Sequence, residues 1–279
     1  MSVANPDGFL RHVRACNNAV LPGQRLPVRV GGALVGYIQP SLVAALADEP
    51  CVRTDDGGVV IDPPSALPGL ARRMADRKLC RWRNEAFDVR ATPGGPSLTT
   101  VDRGALPVLG IEAEGVHVNG LVHGADGVSL WVARRSMDRP LDPGKLDNVA
   151  AGGIGAGLDA ATTLVKEAAE EASIPADLAR TARPAGIVRY ACDRGEGLRR
   201  DRLHCYDLEM PASFTPQPRD GEIAGFELWP IARVYATVRD TDDFKFNVNL
   251  VLIDLLIRTG LITGEAAATL RAGLNGPPA

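Results

Sequence analysis

Polar and apolar positions alternate with two distinct periods along this chain, and the better-ordered pattern lies in its second half. Gly115 to His123 and Val128 to Arg134 alternate with a strand's period of two, and Gly124-Ala125-Asp126-Gly127 joins them. The Asp-Gly pair favours a hairpin turn. Leu146 to Ala150 reads as a short strand, followed by a glycine cluster from Gly152 to Gly157. Ala160 to Ala172 has a helical period, with Asp159 as N-cap and Pro175 beyond its end. Ala185 to Ala191, Arg202 to Glu209 and Glu222 to Leu228 read as strands, and Arg194, Arg199 and Arg200 fall in a basic loop between the first two. Ile231 to Thr237 and Asn249 to Arg258 read as helices, the latter stopped by Gly260, and Thr263 caps a last helix through Leu270.

The first half is α/β in character but less regular. Asp7 to Asn18 predicts a helix, and Val28 to Val30 and Ala33 to Ile38 predict strands around Gly31-Gly32. A helix from Pro40 to Leu46, a short strand at Val59 to Ile61 and a charged helix from Leu67 to Arg83 complete it. Ala91 to Ser97 reads ATPGGPS, a turn or linker by composition. The predicted division is an N-terminal α/β domain, residues 1–105, and a second domain, residues 106–279.

Composition narrows the function classes. Of the 279 residues 45% are hydrophobic and 23% charged, and the net charge of -3 offers no broad basic field for a nucleic acid. No apolar run approaches the roughly 18 residues that span a bilayer, and Met1 to Arg14 shows no apolar secretion core. Cys16, Cys51, Cys80, Cys192 and Cys205 are odd in number and form no CxxC pair. That usage predicts free thiols and a reducing cytoplasm. Expected partners are therefore a small molecule, not nucleic acid or membrane, with the chain a monomer or homodimer.

The chemistry concentrates in Lys166-Glu167-Ala168-Ala169-Glu170-Glu171. On a helix Glu167, Glu170 and Glu171 sit at i, i+3 and i+4 and share one face, while Leu164, Val165, Ala168 and Ala172 form the other. Like charges at those spacings each cost roughly 0.2–0.5 kcal/mol, and the helix C-terminal half disfavours anions. A hard divalent cation reverses that sign; the competing reading is a solvated acidic face. The preceding Gly152 and Gly153 bring free backbone N–H groups suited to phosphate.

The stretch from Gly152 to Ile174 resembles the Nudix box, G-x5-E-x7-R-E-U-x-E-E-x-G-U, where U is aliphatic. Gly152 takes the first glycine, Glu167 the glutamate after the arginine position, and Glu170 and Glu171 the paired glutamates. The chain departs from the pattern at Leu158 for the early glutamate, Lys166 for arginine and Ser173 for the late glycine. The resemblance implies a Nudix α/β/α sandwich with a mixed sheet, preceded by a smaller α/β domain. It also implies Mg2+ (or Mn2+) held by Glu167, Glu170 and Glu171, and hydrolysis of a small diphosphate substrate.

Wider stretches resemble the Nudix branch of thiamin pyrophosphokinase-related proteins: Trp131 to Ser136, Pro143 to Asn148, Ala151 to Gly153, Tyr206 to Glu209, Asp220 to Glu222 and Phe244 to Asn247. That similarity implies thiamin diphosphate or its oxidised analogues, oxothiamin and oxythiamin diphosphates, as substrate.

Several residues carry two readings each. Glu222 is a candidate extra ligand or general base, or a turn acid. Arg134 and Arg135 point to opposite strand faces, so one clamps phosphate and the other makes a structural pair. Lys245 and Asn247 are candidate substrate contacts or helix caps. Trp131, Tyr190 and Phe214 stack on a ring or pack the core. His117 and His123 share a strand face, as a metal pair or as unrelated side chains, while His12 and His204 have no evident partner. Gly153 to Gly157 offers a dinucleotide fingerprint, but Leu158 occupies the place of its last glycine. A non-catalytic binder on the same scaffold is the remaining alternative.

Overall fold

The computed structural model describes residues 6–55 and 57–276. Residues 1–5, part of the segment read for a secretion signal, lie outside the described residues.

A ten-residue helix, α1 (Asp7–Cys16), opens the chain, followed by β1 (Leu26–Val30), β2 (Ala33–Ile38), α2 (Pro40–Leu46), β3 (Val52–Asp55) and β4 (Gly58–Ile61). The strands form a four-stranded sheet in the order β2-β1-β4-β3, with β1 and β4 parallel and the other pairs antiparallel. Helix α3 (Leu67–Asp76) covers it, and β5 (Ala86–Arg90) and β6 (Ser97–Asp102) form a separate hairpin across the predicted turn. A short α4 (Leu106–Leu109) leads into the second half. Val28, Ile38, Ile61, Leu70, Met74, Phe87, Val101 and Leu109 share one apolar core. Helix α3 ends at Asp76, not Arg83: Lys78 adopts φ 60, and Leu79 N–H closes the turn on Met74 O at 2.9 Å.

The second half is built on β7 (Glu112–Gly124), which makes a hairpin with β8 (Gly127–Arg135). Next come β9 (Leu146–Asp147), β10 (Ala150–Gly153), α5 (Ala160–Ala172), α6 (Ala176–Ala179), β11 (Arg183–Arg194) and β12 (Gly197–Glu209). The chain finishes with β13 (Ile223–Pro230), α7 (Ile231–Asp240), α8 (Val248–Arg258) and α9 (Gly264–Gly273). The mixed sheet runs β11-β12-β7-β8-β13, with β12 and β7 parallel. One edge of β7 changes partner midway. Gly115 to Val118 pair with β10, and Gly120 to Gly124 pair with β8. Asn119 lies at that fork, fully buried.

Helices cover both faces. Leu164, Ala168 and Ala172 of α5 pack on Val118 and Val122. Leu121, Leu130 and Val132 pack with α7, α8 and α9 on the other side. Every residue of α8 from Val248 to Ile257 except Asp254 is buried, and each large aliphatic so buried contributes roughly 1.5–3 kcal/mol. Phe9, Val13 and Cys16 of α1 belong to this second core rather than to the N-terminal sheet. The molecule is thus α/β, a helix–sheet–helix sandwich on a mixed sheet.

The basic segment between the predicted strands is itself strand. β11 and β12 pair from Arg183/Asp207 to Arg194/Gly197, so the loop shrinks to a tight turn. Arginines tolerate the ladder because acids partner them, Arg202 with Glu112 at 3.1 Å and Arg199 with Asp201 at 3.2 Å.

Gly36 sets the contact between the two halves. A Cβ there would lie 2.3 Å from Leu109 O, immediately before the strand that carries the site. We expect Gly36→Ala to destabilise the fold by about 1–3 kcal/mol, read as a lowered urea midpoint; an unchanged midpoint would refute that close approach.

Candidate functional site

Helix α5 presents the acidic triplet. Asp159 caps it by accepting from Thr162 N–H at 2.7 Å, and Ser173 ends it at φ 55. This left-handed backbone is why a glycine suits that place in the family pattern. The three glutamates have unequal surroundings. Glu171 is 5% exposed and accepts from Ala151 N–H at 2.8 Å. Glu167 is mostly buried and Glu170 half exposed. Lys166 Nζ donates to Glu167 at 3.0 Å and to Glu170 at 2.8 Å.

Gly152 and Gly153 lie in β10, paired with Val116 and Gly115. Both line the cleft, so their backbone reaches it from a strand rather than from a loop. Glycine is required for another reason. A Cβ at Gly152 would sit 2.2 Å from Glu167 Cδ, and one at Gly153 would sit 2.5 Å from Phe87 Cζ. Two side chains press against bare backbone.

These residues line a cleft of about 250 Å³. Arg83, Glu85, Phe87 and Arg103 of the N-terminal half form one wall; Glu222, Lys245 and Asn247 also border it. Glu222 Oε1 contacts Arg139, and its backbone N–H is held by Asp220 at 2.8 Å. Arg135 reaches the cleft but is committed to Asp147 at 2.8 Å and to the carbonyls of Leu141 and Asp142. Arg134 points away, exposed, and donates to Gly144 O. The pair is thus split between faces as strand geometry requires, and the structural member is the one inside. Asn247 donates weakly to Tyr190 Oη at 3.4 Å, and its buried Oδ1 has no partner.

Beneath these groups lies a buried ionic floor. Asp147 meets Arg135 and, at 3.4 Å, Lys245. Burial pushes the Asp147 carboxyl up, but Lys245, His117 and Arg135 outweigh it and hold it below its ordinary value. Burial pulls the Lys245 ammonium down against the attraction of Asp147. Burial, reinforced by Asp147, pushes Glu171 well above the glutamate range, and burial raises Glu167. Burial disfavours a charged Lys166, yet Glu170 and Glu167 outweigh it and raise its pKa.

The donor set suits a hard divalent cation, being carboxylate oxygen on one helix face beside a cleft. The side chains do not converge as they stand: no group of three His, Cys, Asp or Glu among the described residues is placed to hold an ion. The Lys166 ammonium bridges Glu167 and Glu170 instead. Lys166 is half exposed, and such ion pairs contribute roughly 0–1 kcal/mol, so a divalent ion would displace it at little cost. Glu171, by contrast, is fixed by backbone.

Trp131, Tyr190 and Phe214 pack in the cores. His123 is exposed beside Glu209, so it forms no metal pair with the buried His117. His204 pairs with Glu114 at 2.6 Å, and His12 with Val238 O at 2.8 Å. Sequence reasoning gave no site role to Asp147, Arg139 or Phe87. Asp147 lies in a resembling stretch, whereas Arg139 and Phe87 carry no local signal.

Glu171 generates a pH-dependent prediction. Its raised pKa means that the folded chain keeps a proton the unfolded chain has lost. The associated stability is present below the ordinary glutamate range and lost as pH rises through the folded value. Glu171→Gln keeps an acceptor for Ala151 N–H and removes the charge. With divalent ions chelated, the variant should match its parent in acid and exceed it in urea midpoint near neutrality. A parent as stable as the variant there would contradict the burial argument.

No family model matches the chain. Nudix hydrolase 24, chloroplastic, of Arabidopsis thaliana is 35% identical over 272 residues, 93% of this chain and 74% of the relative. Nudix hydrolase 20, chloroplastic, of the same plant is 32% identical over 283 residues, covering 94% and 76%. Among solved structures, an Ap4A hydrolase of C. elegans matches with a TM-score of 0.40 and 10% identity, over 54% of this chain and 99% of that one. The identity and coverage of the two plant relatives establish that this chain belongs to the Nudix hydrolase family and is a pyrophosphohydrolase.

Proposed function

We propose that this chain hydrolyses the diphosphate linkage of thiamin diphosphate or an oxidised analogue to the monophosphate, with Mg2+ or Mn2+ held by Glu167, Glu170 and Glu171. The observation that carries the metal assignment is Glu167, mostly buried against bare backbone at Gly152 and lining the cleft with Glu170, one turn from the buried Glu171. The substrate assignment rests on the resembling stretches, which bring Arg135, Ala151 to Gly153, Glu222, Lys245 and Asn247 to the cleft.

A bound divalent ion would neutralise charge on the phosphoryl oxygens and lower the pKa of a coordinated water. The chain's own residues do the rest. Glu171 is oriented by Ala151 N–H, which fixes one of its oxygens and leaves the other for the ion. Glu222, whose Oε1 is taken by Arg139, would be an additional ligand. Arg139 and Lys245 supply positive charge to the phosphates, and the unpartnered Oδ1 of Asn247 accepts from a substrate donor. The N-terminal domain, proposed as residues 1–105 apart from α1, selects the organic group through Phe87, Arg83 and Arg103. All five thiols are free, which suits a reducing compartment such as the cytoplasm.

Purified protein assayed against thiamin diphosphate, its oxidised analogues, nucleoside diphosphates and ADP-sugars decides the substrate. We expect phosphate release from the thiamin compounds that depends on added Mg2+ or Mn2+. Glu167→Gln and Glu170→Gln should each lower it by at least the roughly 10- to 100-fold that even outer metal-shell partners cost. Faster turnover of a nucleoside diphosphate overturns the thiamin assignment; undiminished activity of both variants overturns the metal assignment.

A further inference from the structure

His117 sits midway along β7, 4% exposed, and borders the same cleft as Glu167 and Lys245. Its Nδ1 lies 2.9 Å from Asn148 Oδ1. From Asn148 a line of buried side chains crosses the fork in the sheet. Asn148 Nδ2 donates to Asn119 Oδ1 at 2.8 Å, and Asn119 Nδ2 donates to Asp207 Oδ1 at 2.9 Å. Arg258 donates to both oxygens of Asp207 and to Asp254.

The anion at the far end fixes every proton in this line. A carboxylate gripped by a guanidinium only accepts hydrogen bonds. Asn119 must turn its amide N–H to Asp207, leaving its carbonyl to accept from Asn148. The Asn148 carbonyl then faces His117, so the imidazole proton is on Nδ1. Burial and the nearby Lys245 charge pull the pKa of His117 down to about 4, so the ring is neutral near neutral pH. A neutral ring with its proton on Nδ1 has a bare lone pair on Nε2. The bond to Asn148 is the one hydrogen bond of this side chain among the described residues.

The cost of this arrangement points to use. Asn119 and Asn148 are 0% and 2% exposed, and a buried polar chain is tolerated only when each member is satisfied. Apolar residues would fill the fork as well without that demand. What the chain delivers is one tautomer of one ring at the cleft. Ala151 lies opposite His117 in the ladder, and its N–H holds Glu171, so the ring and that carboxylate flank the same residue.

We propose that the bare Nε2 of His117 accepts the proton of the water that attacks the diphosphate, with Asn148, Asn119 and Asp207 as positioning residues. This rests on the hydrolase reading of the cleft. The water oxygen bonds to phosphorus while the bond from phosphorus to the bridging oxygen breaks. The bridging oxygen leaves with the electron pair on the second product, and the water proton passes to Nε2. The resulting imidazolium keeps its Nδ1–H on Asn148 and returns the added proton to the leaving phosphate or to solvent.

Long-range proton–nitrogen correlation spectra of the full chain, near neutral pH, test the tautomer without turnover. We expect a protonated Nδ1 and a bare Nε2; a proton on Nε2, or a charged ring, overturns the proposal. His117→Gln should lower kcat by about 10²-fold or more with KM within roughly threefold. Asn148→Leu should lower kcat in the same sense while its spectrum shows mixed tautomers. Full kcat in His117→Gln against an active parent overturns this step alone. A parent that hydrolyses no diphosphate overturns the hydrolase reading of the cleft and this step together.

Discussion

Asp147 is the charge on which the site depends. It is 4% exposed and carries Arg135, Lys245 and the backbone N–H of Asn148 on two oxygens. Two buried charges lose several kcal/mol of hydration each, and only close pairing with full hydrogen bonding offsets that loss. Arg135 meets the condition by donating to Asp147 and to two backbone carbonyls. The cluster therefore stabilises little relative to an apolar core, but it specifies position. It ties β8 to β9 and to the segment before α8. The same negative charge pushes Glu171 further toward its protonated form, which removes one negative charge from the acidic helix.

How much of this was legible in the sequence follows from how local each feature is. Helix α5 matched from Ala160 to Ala172 because a cap, a period and a breaker all act within a few residues. The β7–β8 hairpin was legible for the same reason, through Asp126-Gly127. The basic segment from Arg194 to Arg200 read as a loop because what supports it as strand, such as Asp142 beside Arg194, is distant in sequence. One reason for the glycines at 152 and 153 was not legible. Their small size serves the side chains of Glu167 and Phe87, and Phe87 belongs to the other half of the molecule.

Within the site the same rule separates what was seen from what was missed. Glu167, Glu170 and Glu171 share one helix face and were legible as a set, yet their unequal burial was not. Burial depends on β10, which places Ala151 N–H against Glu171 and leaves Glu170 in solvent. Arg134 and Arg135 were legible as a pair with opposite faces, but only the sheet decides which face holds Asp147. His117 had no local signal, since its meaning comes from Asp207 and Arg258, far along the chain.

The departures at Leu158 and Lys166 fit one electrostatic account. An arginine among box glutamates serves best when several carboxylates demand a planar fork. Here Leu158 supplies no carboxylate, and the two that remain in reach, Glu167 and Glu170, are each met by a single Lys166 N–H bond. A lysine satisfies that smaller demand with a point charge on a flexible stem. Such a charge yields to a divalent ion more readily than a bidentate guanidinium does. Under the proposed metal assignment, the relaxed box would lower the cost of exchanging an internal cation for an external one, while Glu171 would stay held by the Ala151 backbone.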